Sequence, residues 1–330
     1  IDERYAVGVI GSGHIAIHYH LPVLKHLNAT SVAFVADVDS GACKRAASVY
    51  DTTDHVITDT SALPECDIVL LALPVADREP YFEEFGERGT AIFSEKPFAL
   101  DQSMHEAFLN AAEAVTCNYT RMEYGSSEQM ASLIESRVFG QPEHIVIRRG
   151  NPQTSTGKEE SQTNPHRRGG LLHERGTHLF SQLLWLLKEF DFSVDDAKIS
   201  WNEGLDIDVN ANISAAANGE QIPVDFEYSL VKRLDREIRV KFENASVWYD
   251  PSEPDAQLEF SPGAHPSKRM KFTHDERAPR NHHQAIAARW IRFLSTLETG
   301  DYETRFQTGV QVSKIITEIY DTVDRWPGES

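Results

Sequence analysis

Residues Val7–Ala16 constrain the fold more than any other stretch. They read Val-Gly-Val-Ile-Gly-Ser-Gly-His-Ile-Ala, strand-forming apolar residues running into a turn punctuated by Gly11 and Gly13. An amphipathic segment follows (Ile15, Ile17, His18, Leu21, Leu24, Leu27), so the order is strand, tight turn, helix. That order is the setting of a dinucleotide-binding turn. Gly11 permits the turn's torsions, Gly13 lets a pyrophosphate approach the main chain, and the N–H groups from Ser12 through His14 to Ile15 face the phosphates at a helix N-terminus. Ala16 stands where the pattern has its third glycine and is small enough for close packing of helix on sheet. A second apolar run, Ser31–Ala36, ends at Asp37, where a ribose-binding acid is expected. Asp37, with Asp39 beside it, would repel a 2′-phosphate, so the expected cofactor is NAD in preference to NADP.

The same grammar continues downstream. Ser40–Tyr50 has helical spacing, Val56 and Ile57 make a short third strand, and Cys66–Pro74 is the near-continuous apolar run of a buried parallel strand. Its end, Leu73-Pro74, falls on the same sheet edge as Gly11 and Asp37. A helix over Arg78–Arg88 leads to a strand at Ala91–Phe93, which runs into Ser94-Glu95-Lys96-Pro97. Asp101 caps a helix reaching Ala114, and Val115–Tyr119, which includes Asn118, is a sixth strand. Strands alternating with helices predict a doubly wound parallel sheet with ligands at the carboxyl ends of its strands.

Beyond Arg121 the pattern changes. A helix over Ser127–Val138 and a strand near His144–Arg148 precede a long polar stretch, Gly150–Arg168; Leu171–Leu187 is again helical. Period-two alternation then marks strands through Ile207–Ile213, Val224–Leu230 and Ile238–Phe242, with Asn218-Gly219 as a turn. Helices near His283–Leu297 and Gln307–Val323 close the chain. The expectation is an α/β protein of two domains, 1–120 binding the dinucleotide and 121–330 built on a large open, mainly antiparallel sheet.

Length agrees, since 330 residues exceed one ordinary core. The 51 acidic against 32 basic residues give a formal net charge of -19, which excludes nucleic acid and anionic membranes as partners and resembles the balance of proteins from salt-rich cytoplasm. No apolar run is long enough to span a membrane and no secretory leader opens the chain. Cys43, Cys66 and Cys117 are widely spaced without a paired motif, which argues against disulfides or zinc and fits a cytoplasmic setting. No acidic or thiol set accompanies His166 and His173 at ligand spacing, so no metal is expected.

The glycine turn, Leu73-Pro74, Glu95-Lys96-Pro97 and the run Gly169–His178 (Gly-Gly-Leu-Leu-His-Glu-Arg-Gly-Thr-His) together resemble the glucose-fructose oxidoreductase, inositol dehydrogenase and MocA family over nearly the whole chain. The resemblance implies an N-terminal Rossmann domain, a C-terminal α/β domain whose sheet makes homodimer or homotetramer contacts, and NAD(P)-dependent oxidation or reduction of sugars and cyclitols. It assigns Lys96 and His178 to catalysis. Glu174 stands where relatives usually have aspartate, Ser181 replaces another common aspartate, and Val75-Ala76-Asp77-Arg78 replaces a frequent Asn and His. These departures leave the reaction type standing and the substrate open.

Hydride transfer needs a group that moves the hydroxyl proton while the carbon is held against the nicotinamide. His178, whose unperturbed pKa lies near neutrality, is the principal acid or base, with Lys96 polarising the oxygen and Glu174, four residues earlier, orienting the imidazole. Lys158, Asn164, His166 and Arg167 on the polar stretch are candidate substrate contacts, Tyr119 and Arg121 lie near the ring side of the cofactor, and Trp185 reads as core. Two other readings stay open: reduction of a different C=O or C=N group, and a dinucleotide-sensing protein without turnover.

Overall fold

The computed structural model describes residues 5–57, 59–152, 170–263, 268–273, 276–300, 303–325 and 327. Lys158, Asn164, His166 and Arg167 lie outside them. By its internal contacts the chain forms two compact units, Ile1–Asn118 with His282–Gln307, and Tyr119–Asn281 with Thr308–Ser330.

The first unit is built on six parallel strands: β1 (Tyr5–Ile10), β2 (Thr30–Asp37), β3 (Thr53–Val56), β4 (Ile68–Leu71), β5 (Ala91–Ser94) and β6 (Val115–Cys117). Their spatial order, β3-β2-β1-β4-β5-β6, is that of a Rossmann sheet, with the order reversing between β1 and β4. β4 and β5 are buried along their whole length, which is why they read as unbroken apolar runs. The helices are α1 (Leu21–His26), α2 (Ser40–Tyr50), α3 (Glu79–Glu87) and α4 (Gln102–Ala111). Asp39 and Asp101 cap α2 and α4, each accepting backbone N–H bonds of the first turn.

One boundary differs from the contiguous division at residue 120. The helix His282–Thr299 belongs to this first unit, because Trp290 stacks on Phe93 at 4.0 Å and 13°, and Ile286, Phe293 and Leu294 join the core of Val7, Val9, Ile68 and Leu70. An amphipathic helix goes where an apolar face awaits it, and sequence distance has no bearing on that.

The second unit carries eight strands: β7 (Pro142–Gly150), β8 (Asp191–Asn202), β9 (Leu205–Ala217), β10 (Glu220–Ser229), β11 (Leu234–Phe242), β12 (Ala245–Tyr249), β13 (Glu259–Pro262) and β14 (Met270–Lys271). They lie in the order β14-β13-β12-β11-β7-β10-β9-β8, antiparallel except for the β7/β10 pair. Asn218 and Gly219 join β9 to β10 with φ of 50° and 85°, the two positive values of a tight hairpin turn. Two helices belong to one face: α5 (Gly125–Ser136) packs on α6 (Thr177–Leu186), whose Phe180 stacks on Phe226 of β10 at 4.6 Å. Across the strands run polar pairs, among them Arg148–Glu227 at 3.5 Å and His144–Asp225 at 3.0 Å.

Candidate functional site

The turn after β1 is held by its own backbone geometry. Gly11 has φ +94°, and a Cβ there would lie 2.5 Å from the Ala72 carbonyl oxygen. Gly13 is different: a Cβ on it would meet nothing within 4 Å. The protein's own packing therefore explains Gly11 and leaves Gly13 unexplained, whereas a group pressed against the main chain from outside would require it. His14 and Ile15 open the helix, Ile17 N–H donates to the Gly13 carbonyl, and the winding widens to a π turn over Ala16–His20 before α1.

Asp37, at the end of β2, closes on this turn. Its Oδ2 accepts from the Ser12 N–H and hydroxyl, both at 2.7 Å, and its Oδ1 accepts from the Asp39 N–H at 2.9 Å. Ser12 thus spends its N–H on Asp37, which corrects the expectation that it faces a phosphate. Asp39 is held below the usual carboxylate range by the N–H groups of Ala42 and Gly41, with Arg45 adding to the effect. That cation was not read from the sequence.

The Glu95-Lys96-Pro97 turn follows β5 and is gripped from two sides. Arg78, 1 % exposed, donates Nε and Nη2 to the Leu73 carbonyl at 3.0 and 2.7 Å and Nη1 to Ser94 Oγ and to the carbonyls of Glu95 and Pro97. One buried guanidinium ties the end of β4 to both neighbours of Lys96; the Lys96–Pro97 bond is cis. Pro74 begins the short 3₁₀ turn Val75–Asp77 that delivers Arg78. On the other side Glu95 Oε1 accepts from Asn118 Nδ2 at 2.5 Å and His20 Nε2 at 2.7 Å, while Oε2 accepts from the Lys96 N–H at 3.1 Å. Trp290 donates to His20 Nδ1 at 3.0 Å, which leaves Nε2 to carry the proton toward Glu95. Burial opposes charge on Glu95, but His20, Asn118 and the Lys96 ammonium outweigh it and hold the carboxyl below its ordinary range. Asn118, expected at the cofactor, gives its Nδ2 to Glu95.

In the second unit the helix carrying Glu174 and His178 departs from α winding just after its start at Leu171. Leu172–Gly176 is π-wound, and α6 starts at Thr177, whose hydroxyl donates to the His173 carbonyl. The π winding lies between Glu174 and His178, and the Glu174 carboxylate has the Arg175 Nε at 4.0 Å. His178 is half-buried, and His173 is buried against Tyr320. Burial pushes Arg121 down to about 10, helped by Arg149 and opposed by Tyr124. Tyr119 is buried, and Trp185 lies under the Lys188 ammonium at 4.0 Å.

Residues 5–121 match the family model described as an oxidoreductase family with an NAD-binding Rossmann fold, and residues 127–248 match the GFO/IDH/MocA C-terminal domain. The chain belongs to the GFO/IDH/MocA family. It is an NAD(P)-binding oxidoreductase of that family. Its fold is shared by an aldose-aldose oxidoreductase from Caulobacter crescentus, complexed with glycerol, at 16% identity, TM-score 0.82 and 98% of each chain. A 3-ketoreductase from Actinomadura kijaniata, in complex with NADP and TDP-benzene, matches at 16% identity, TM-score 0.80 and 97% of each chain. An oxidoreductase from Thermotoga maritima matches at 16% identity, TM-score 0.78 and 97% of each chain. No curated protein matches the chain in sequence. Among the described residues no helix is long and apolar enough to cross a membrane and no group of His, Cys, Asp or Glu could hold a metal.

Three residues of this architecture escaped the sequence reading. His20 is spaced four from both Ala16 and Leu24 on the buried face of its helix, a polar residue in an apolar stripe. Trp290 sits with Ile286, Phe293 and Leu294 at helical spacing. Asp206 carries no local signal at all, because its partners are 34 and 35 residues away.

Proposed function

We propose that this protein transfers a hydride between a nicotinamide cofactor and a hydroxyl or keto carbon of a sugar, sugar derivative or cyclitol. The observation that carries the reading is the Glu95-Lys96-Pro97 turn, which Arg78 and the His20–Glu95–Asn118 network hold at the carboxyl end of β5. Immobilising a lysine backbone with a buried guanidinium and a buried carboxylate costs desolvation, which a surface lysine would not repay. The nicotinamide, when bound, supplies or takes up the hydride. Gly13, His14 and Ile15 offer the main chain to the pyrophosphate, with Gly11 shaping the turn; Asp37 accepts ribose hydroxyls; Leu73, Pro74 and Asn118 border the same sheet edge. Lys96 polarises the substrate oxygen, and His178 gives or accepts its proton, with Glu174 as the nearby acid.

Asp37 and Asp39 favour NAD over NADP. Arg45, near enough to Asp39 to lower its pKa, favours the opposite reading, and the A. kijaniata reductase is described with NADP. Parallel fluorescence titrations with NADH and NADPH decide between them; tighter binding of NADPH removes the preference for NAD. Activity is tested by screening aldoses, polyols, sugar nucleotides and their keto forms for change in reduced-nicotinamide absorbance. Tight cofactor binding with no turnover of any of them, or of other carbonyl and imine compounds, favours the sensing reading instead.

A further inference from the structure

Asp206 is the second residue of β9 and is 1 % exposed. Its Oδ1 accepts the Leu171 N–H at 2.7 Å, and its Oδ2 accepts the Leu172 N–H at 2.9 Å and the Tyr320 hydroxyl at 3.2 Å. A helix start leaves four N–H groups without intrahelical partners, and here a carboxylate from a distant strand takes the first two. Gly170 makes the approach possible, since a Cβ there would fall 1.4 Å from Asp206 Oδ1. The helix so capped is the one that bears Glu174 and His178, and its first turn is π-wound.

The winding changes within this turn: Glu174 N–H keeps an i to i−4 bond to the Gly170 carbonyl at 3.0 Å, and Thr177 N–H then reaches back five residues to the Leu172 carbonyl. Both accepting residues adjoin or carry the N–H groups that Asp206 holds, Gly170 preceding Leu171 and Leu172 donating to Oδ2, so the carboxylate fixes the backbone from which both bonds are made. We propose that Asp206 is a positioning residue for His178, holding Leu171 and Leu172 so that the turn leading to the imidazole keeps one winding. The proposal rests on the assignment of His178 to proton transfer above. Tyr320 faces Asp206 from the last helix, and His173 stacks on Tyr320 at 5.4 Å; Trp201, opposite Asp206 on β8, carries Arg325 over its ring at 4.8 Å. Burial pushes Asp206 up to about 6 against the pull of the Leu172, Leu171 and Tyr320 donors. Protonation would put an O–H where an N–H needs an acceptor, so mild acid loosens the cap.

Asp206→Asn tests this, because the amide keeps the size, offers one acceptor and sets an NH₂ against the second N–H. In protein with isotope-labelled histidine, the His178 resonance is identified by its loss in His178→Gln. The native His178 signal should show a second inflection near pH 6 that Asp206→Asn lacks, and the variant's signal should be displaced at neutral pH. Turnover should fall about tenfold, the effect of roughly one lost charge-assisted bond, with KM for the reduced cofactor within about twofold. Gly170→Ala, which displaces the same carboxylate, should move the same resonance and serves if the first variant does not fold. An unmoved His178 resonance and titration in the folded variant overturns the proposal. A moved resonance together with full activity of His178→Gln supports the positioning and sinks the catalytic assignment instead.

Discussion

Two glycines two positions apart do different work, and each can be tested alone. Gly11→Ala places a Cβ at positive φ against the Ala72 carbonyl, so it should lower stability by about 1–3 kcal/mol, read as a drop in melting temperature. Gly13→Ala meets open space, so the melting temperature should hold while NADH affinity falls by about tenfold or more. Equal losses of stability for both would remove the argument that Gly13 serves a ligand. His105 makes a residue-scale prediction about pH. Burial pushes it down to about 3, and it packs on Phe98 at 4.3 Å. The folded chain refuses a proton that the unfolded chain takes below about 6.5, so stability is full above that pH and lost as pH falls through it, by about 2 kcal/mol at pH 5. His105→Phe should flatten the acid arm of a urea-midpoint profile between pH 7 and 5.

At the scale of elements, the Rossmann half was legible because each of its signals is local. Burial on both faces makes a strand such as Ile68–Leu71 apolar throughout, and Asp101 announces a helix start within three residues. β8 was not legible: it is largely exposed and its register slips between Val194 and Asp196, so the period-two pattern breaks in the middle. The π turns at Ala16–His20 and Leu172–Gly176 were equally hidden, since α and π winding share the same composition. Lys96 and His178 stood out by motif, whereas Arg78, His20 and Asp206 act through partners that only folding brings near. The same limit concealed the place of His282–Thr299. Trp290→Ala should cost about 3–5 kcal/mol by removing the ring stacked on Phe93. Trp290→Phe keeps the stacking and loses the hydrogen bond to His20, so its cost should be near 1 kcal/mol. Near-equal costs for both would mean that the indole N–H, and not the packing, holds the helix in place.

For the whole molecule, the net charge of -19 sets a long-range repulsion that every local contact must overcome. Screening reaches about 30 Å at 0.01 M salt and about 3 Å at 1 M, so the melting temperature should rise substantially from low to molar KCl. A flat or falling curve would remove the high-salt reading without touching the enzyme. The central claim is that the protein binds its cofactor through the Rossmann turn and moves the substrate proton with Lys96 and His178. Its most direct test is hydride transfer to the best substrate from screening, measured alongside NADH affinity in Lys96→Ala and His178→Ala. Transfer should fall by about 10²-fold or more in each while affinity stays within a few-fold. Transfer undiminished in either variant, or lost in step with cofactor affinity, would contradict the account.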